Sequence, residues 1–111
     1  ENMGFVDLND MPFDVLEGTN RKVLQADNMT MLFIDREPNV VQDHSHPQEQ
    51  VVFLREGRLK VSMGGEERIV EAGNAIQIPG GLQHRIETLE QSLILSVYSP
   101  ARDLSALTQP K

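Results

Sequence analysis

The chain has three histidines, His44, His46 and His84. A neutral imidazole nitrogen is a good ligand for zinc, nickel, iron, copper and manganese. His44 and His46 are one residue apart in the run Asp43-His44-Ser45-His46-Pro47-Gln48-Glu49-Gln50. Side chains alternate along a strand, so a strand here sets both imidazoles on one side. Gln50 follows at a further even offset and joins them if the strand resumes after Pro47. Glu49 competes for that place, but a regular strand points it the other way and only a bulge exchanges the two. His84 is the remaining histidine that could close the set. The plainer alternative is two surface histidines beside a proline turn and a core histidine bonded to backbone; an H-x-H triplet alone fits either. Three histidines and one side-chain oxygen leave a coordination position open, which separates a catalytic metal site from a structural one. A neutral glutamine ligand leaves the metal its full charge, so it polarises a bound carbonyl or hydroxyl more strongly.

The spacing around these residues carries more. Gln50 is followed by six residues and then Gly57, and Gly73 by five residues, Pro79, one residue, Gly81, two residues and His84. These runs resemble the two signature motifs of the cupin superfamily. Gln50 stands where glutamate is usual, Pro38 where the first motif opens on glycine, and Thr88 where the second ends on asparagine. The resemblance implies an all-β fold, the double-stranded β-helix or jelly-roll barrel. It also implies one divalent transition metal ion (zinc, nickel, manganese or iron) on His44, His46, Gln50 and His84.

Within the cupins the chain resembles the KdgF family, small proteins linked to pectin and alginate breakdown. Arg21 to Leu24, His44 to Gln50, Gly57, Gly64 to Glu67, the Gly73 to His84 motif and Tyr98 to Arg102 carry the likeness. The resemblance implies conversion of 4,5-unsaturated uronates to linear 4-deoxy-5-keto uronates. The family's last strand and tail bring an aspartate, an aromatic residue and an arginine. Those places hold Ser96, Tyr98 and Arg102 here, which makes them the implied catalytic residues. Arg102 would hold a substrate carboxylate, and Tyr98 or a metal-bound water would handle the proton. Serine replaces the residue expected to move a proton, and its hydroxyl pKa is far too high for that work unaided. This departure supports an alternative, another metal-dependent cupin enzyme (dioxygenase, decarboxylase, cyclase or isomerase) on the same site; a non-catalytic small-ligand-binding cupin is the remaining alternative and ranks last.

The rest of the chain reads as short strands separated by turns about every 8–12 residues. Residues 1–18 are expected to form an arm or edge strand, 19–98 the barrel and 99–111 a tail with one helical turn, all in a single domain. Strands are expected at Arg21–Gln25, Met29–Ile34, Val51–Leu54, Leu59–Met63, Arg68–Val70, Ala75–Ile78, Leu82–Glu87 and Ser92–Tyr98. Gly64-Gly65 is a two-residue hairpin signal. Met29–Ile34, Val51–Leu54 and Leu93–Val97 are apolar on both faces, which predicts an outer face buried in a homodimer or under the N-terminal arm.

Composition narrows the function classes. The 111 residues carry a formal charge of -7 and no cysteine. The acidic balance argues against nucleic acid or an anionic membrane as partner, and the missing thiols exclude cysteine nucleophiles and zinc-thiolate sites. No apolar run approaches a membrane span. Glu1-Asn2 reads as a remnant ahead of Met3, no basic-then-apolar leader follows, and the expected location is the cytoplasm. The expected partner is a small-molecule substrate.

Overall fold

A computed structural model describes residues 4–104. Its regular elements are a short 3-10 turn at Leu8–Asp10 and ten strands: β1 (Asp14–Leu16), β2 (Thr19–Gln25), β3 (Thr30–Arg36), β4 (Val41–His44), β5 (Glu49–Glu56), β6 (Arg58–Met63), β7 (Glu66–Glu71), β8 (Ala75–Ile78), β9 (His84–Thr88) and β10 (Ser92–Ser99). They form a six-stranded sheet, β1-β2-β3-β10-β5-β8, and a four-stranded sheet, β4-β9-β6-β7. Every strand pair is antiparallel. This is the jelly-roll form of the double-stranded β-helix. Among the described residues no helix is long and apolar enough to cross a membrane.

Period-two patterning sorts the side chains. Along β3, Thr30, Leu32, Ile34 and Arg36 are buried and the residues between them are half-buried. Along β5, Gln50, Val52 and Leu54 point in, and along β10, Ser92, Ile94, Ser96 and Tyr98 do. Leu54 and Leu59 flank the Gly57 turn and are completely buried, in one cluster with Val61, Ile76 and Ile86. The apolar core therefore fills the Gly57 end of the space between the sheets. In the β6–β9 ladder Leu59 lies opposite Thr88, Val61 opposite Ile86 and Met63 opposite His84. The site residues thus lie toward the other end.

Gly57 is required at its turn. Its φ is +102°, and a Cβ there would lie 2.2 Å from Ser92 Oγ and 2.6 Å from the Gln91 carbonyl. Thr88, in the place of the motif's asparagine, is fully buried and its Oγ1 accepts from the Val40 N–H at 3.0 Å, pinning the loop that leads into β4.

Several boundaries differ from expectation. β2 begins at Thr19, two residues ahead of the expected Arg21, because Thr19 pairs with Arg36 and Asn20 with Asp35 across the ladder. Met29 lies outside β3, which runs on to Arg36. Leu82 precedes β9. The arm is a 3-10 turn plus an edge strand. No helical turn forms over residues 101–104; residues 105–111 and the Glu1-Asn2-Met3 start lie outside the described residues. Two-sided burial is absent in this single chain: Val51 and Phe53 are each 38% exposed. Leu8 and Phe13 of the arm share a shallow recess with Phe33, Phe53, Leu93 and Leu95, so the arm covers part of that outer face. Lys22 fastens it, donating from Nζ to the Leu8 carbonyl at 2.6 Å and lying 4.7 Å from the Phe13 ring centroid.

Candidate metal centre

His44 and His46 do not lie on one strand. His44 ends β4, and His46 sits in the loop before β5. Pro47 lacks the N–H a ladder needs, so the strand breaks and His46 reaches the site from a turn. Two contacts fix that turn. The Gly81 N–H donates to the His46 carbonyl at 2.7 Å, and Gly80 packs so closely that a Cβ there would lie 2.3 Å from the Pro47 carbonyl oxygen. His84 arrives from the opposite direction. It begins β9 directly across the ladder from His44, which places the two side chains on one face as neighbours.

The three rings converge. Their centroids are 5.2 Å apart for His44 and His46, 4.7 Å for His44 and His84, and 5.0 Å for His46 and His84. One ring nitrogen from each lies within 4.8 Å of the other two. His46 and His84 are buried and His44 is half-buried, so the cluster opens on the His44 side.

Hydrogen bonds set the tautomers. His84 Nδ1 donates to the Leu82 carbonyl at 2.9 Å, and His46 Nδ1 donates to the Gln48 carbonyl at 3.0 Å. Each Nε2 then carries a bare lone pair aimed inward, the arrangement metal-binding histidines adopt. His84 Nε2 is buried with no hydrogen-bond partner. Such an atom carries a desolvation cost of about 1–3 kcal/mol unless something binds it.

Gln50 adds the oxygen. Its Oε1 lies 3.0 Å from His46 Nε2. Its amide Nε2 donates to Ser96 Oγ at 3.3 Å and Tyr98 OH at 3.1 Å. Those two hydroxyls turn the carbonyl oxygen toward the histidines. Two acceptors then face one another, and a cation between them relieves the repulsion. The donor set of three imidazoles and one neutral oxygen therefore fits a divalent transition metal. Glu49 is exposed and points away.

Burial holds the His46 pKa below its ordinary value; the nearby Arg102 and His84 charges act the same way, against the Gln50 and Gln48 oxygens, which favour the protonated ring. Burial pushes the Tyr98 phenol up, opposed by the charges of Arg102, Arg36 and Arg21. Arg102 is brought in by the tail, where its N–H donates to Thr30 Oγ1 at 2.9 Å, and its guanidinium carbon lies 4.9 Å from the Tyr98 ring centroid. Ser96, Tyr98, Arg102 and Gln50 all line a cleft of about 820 Å³ between the sheets.

The cupin domain family matches residues 33–98, a stretch running from β3 through the whole histidine cluster to Tyr98. The chain belongs to the cupin family. Among its relatives, an uncharacterised protein of Streptomyces coelicolor is 32% identical over 56 residues, which are 50% of this chain and 53% of that one. The chain thus spans about half the length of that relative. The pectin degradation protein KdgF of Dickeya dadantii is 26% identical over 103 residues, 88% of this chain and 93% of that protein. The structure of KdgF from a Halomonas species superposes with a TM-score of 0.82 at 25% identity, covering 92% of this chain and 97% of that one.

Sequence reasoning missed two residues that line the same cleft, Arg21 and Arg36. The signal was present. Continuing the alternation of β3 two residues past Ile34 puts Arg36 on the inward face.

Proposed function

We propose that this cupin is a metal-dependent enzyme acting on a small oxygenated acid or sugar acid, and that KdgF-type conversion of 4,5-unsaturated uronates to linear keto forms is the first reaction to test. The observation that carries this reading is the buried, unpartnered His84 Nε2, set among two further imidazoles and the Gln50 carbonyl. His44, His46, His84 and Gln50 hold the ion, which supplies Lewis-acid polarisation of a bound oxygen. Arg102 holds a substrate carboxylate at the cleft. Tyr98 accepts from the Gln50 amide, which leaves its own proton free to donate. Because burial raises its pKa, Tyr98 acts as a proton donor rather than a base. Ser96 keeps Gln50 oriented. The half-exposed outer face of β5 and β10 serves as the homodimer face.

Ring opening is an isomerisation: a hydroxyl proton leaves as the ring C–O bond breaks, and a carbon gains a proton as the enol becomes a ketone. Ser96 cannot take the first proton by itself. That observation favours a second reading, a different metal-dependent reaction, such as a dioxygenase or decarboxylase, on the same site. The test follows the ultraviolet absorbance of an unsaturated galacturonate with metal-loaded and metal-stripped protein. Metal-dependent loss of the alkene signal supports ring opening. No loss, together with oxygen uptake by ferrous-loaded protein on a candidate diketone or phenol, moves the assignment to a dioxygenase.

A further inference from the structure

The cleft beside the histidines is more cationic than the reading above uses. Arg21 and Arg36 both line it, and they are 4% and 6% exposed. Burying one guanidinium is costly without a compensating anion, and burying two along one cavity is costlier. Arg21 has a single carboxylate, with its Nε 2.9 Å from Asp14 Oδ2, and its Nη2 is buried with no hydrogen-bond partner. Arg36 is bonded to neutral oxygens, Thr19 Oγ1 at 2.9 Å and Gln42 Oε1 at 3.4 Å. Neither takes up its charge. Burial lowers the Arg36 pKa to about 10, with Tyr98 opposing and the charge of Arg21 adding to the fall, so it stays cationic at neutral pH.

Two acids, Glu17 and Asp43, also line the cleft. Both are exposed at its rim, where water and salt screen them, and Asp43 already accepts from Gln83 at 2.7 Å. With Asp14 on Arg21 alone, the pair keeps a net positive charge. In a chain of net charge -7, sinking two guanidinium groups into one cavity creates a local field of opposite sign.

We infer that Arg21 and Arg36 form an oxyanion subsite, so that the cleft receives a small acid with two anionic groups. One group lies toward Arg102 and the histidine cluster, and the other is held by the Arg21–Arg36 pair. A guanidinium fork matches either a carboxylate or a phosphate. The inference rests on the reading of this cleft as the substrate site. It also narrows that reading, because a plain uronate has one carboxylate and leaves this end of the cleft without an anion.

The test is a titration of the full chain, metal-free and zinc-loaded, with malonate, inorganic phosphate and acetate, followed by the arginine Nε–H signals in NMR. Malonate or phosphate is expected to shift the Arg21 and Arg36 signals and to bind at least about tenfold more tightly than acetate. Arg36→Met, or Arg21→Met should the first variant not fold, removes that advantage. Tighter malonate assigns a dicarboxylic acid, and tighter phosphate a phosphorylated one. Equal binding of all three anions overturns the inference, as does an advantage that survives the substitution. The metal-free arm keeps the two readings apart. Tight malonate on a protein that takes up no metal sinks the metal reading alone, and normal metal uptake without anion preference sinks the subsite alone.

Discussion

The Gly81 N–H donates to the His46 carbonyl at 2.7 Å, so the glycine of the second motif holds a histidine of the first. Beside it, Gly80 leaves no room for a methyl group against Pro47. Gly80→Ala must push the 46–48 turn outward. We expect a loss of about 1–3 kcal/mol of stability and zinc affinity weakened by roughly tenfold. Urea melts and zinc titration check both, and unchanged affinity would show that the turn does not position His46.

Metal uptake is the most direct prediction. Zinc at a hundredfold excess over its dissociation constant should stabilise the fold by about 2.7 kcal/mol, and chelation should reverse it. His84→Gln should lose more affinity than the roughly 10- to 100-fold given by residues that only orient ligands. Calorimetric titration and thermal melts of both proteins give the answer. A melting temperature indifferent to zinc and to chelator would remove the metal site.

Ser96 separates orientation from proton transfer. Ser96→Ala leaves the Gln50 amide with Tyr98 as its remaining hydroxyl partner, and zinc affinity should fall by roughly tenfold. Ser96→Asp supplies a base and should speed uronate ring opening by about 100-fold. Metal content is measured in parallel, so a variant that merely loses zinc is recognised. A Ser96→Asp protein that holds zinc yet shows no faster ring opening points to the second reaction class.

The pH dependence follows from His46, whose pKa is lowered in the folded protein. The unfolded chain takes up a proton near the ordinary value of 6.5, while the folded chain does not until lower pH. The unfolded state therefore binds more protons in that window, and stability falls as pH drops below 6.5 and through the folded value. Denaturant melts of metal-free protein across this window should show the slope, and it should flatten in His46→Gln. An equal slope in the variant would assign it to other groups.

Much of the fold was legible because period-two alternation and glycine turns are local properties. Ala75–Ile78 matches β8 residue for residue, and Gly64-Gly65 is a hairpin turn with both φ positive. Spacing brought His44, His46, Gln50 and His84 to attention, and in the structure they lie together. What sequence could not supply was the route. Pro47 ends the strand logic that paired the two histidines, and the turn is held instead by Gly80 and Gly81, more than thirty residues away. The two buried arginines were missed for a different reason. The alternation of β3 already set Arg36 on the inward face, but a charged residue at a strand's end reads as exposed until the opposing sheet is in view.

Gln50 belongs to the six-stranded sheet, while His44 and His84 belong to the four-stranded one. A metal ion held by all three would span the seam of the sandwich. Loss of such an ion would then be coupled to parting of the two layers at that end, so zinc should slow amide hydrogen exchange along β4 and β9.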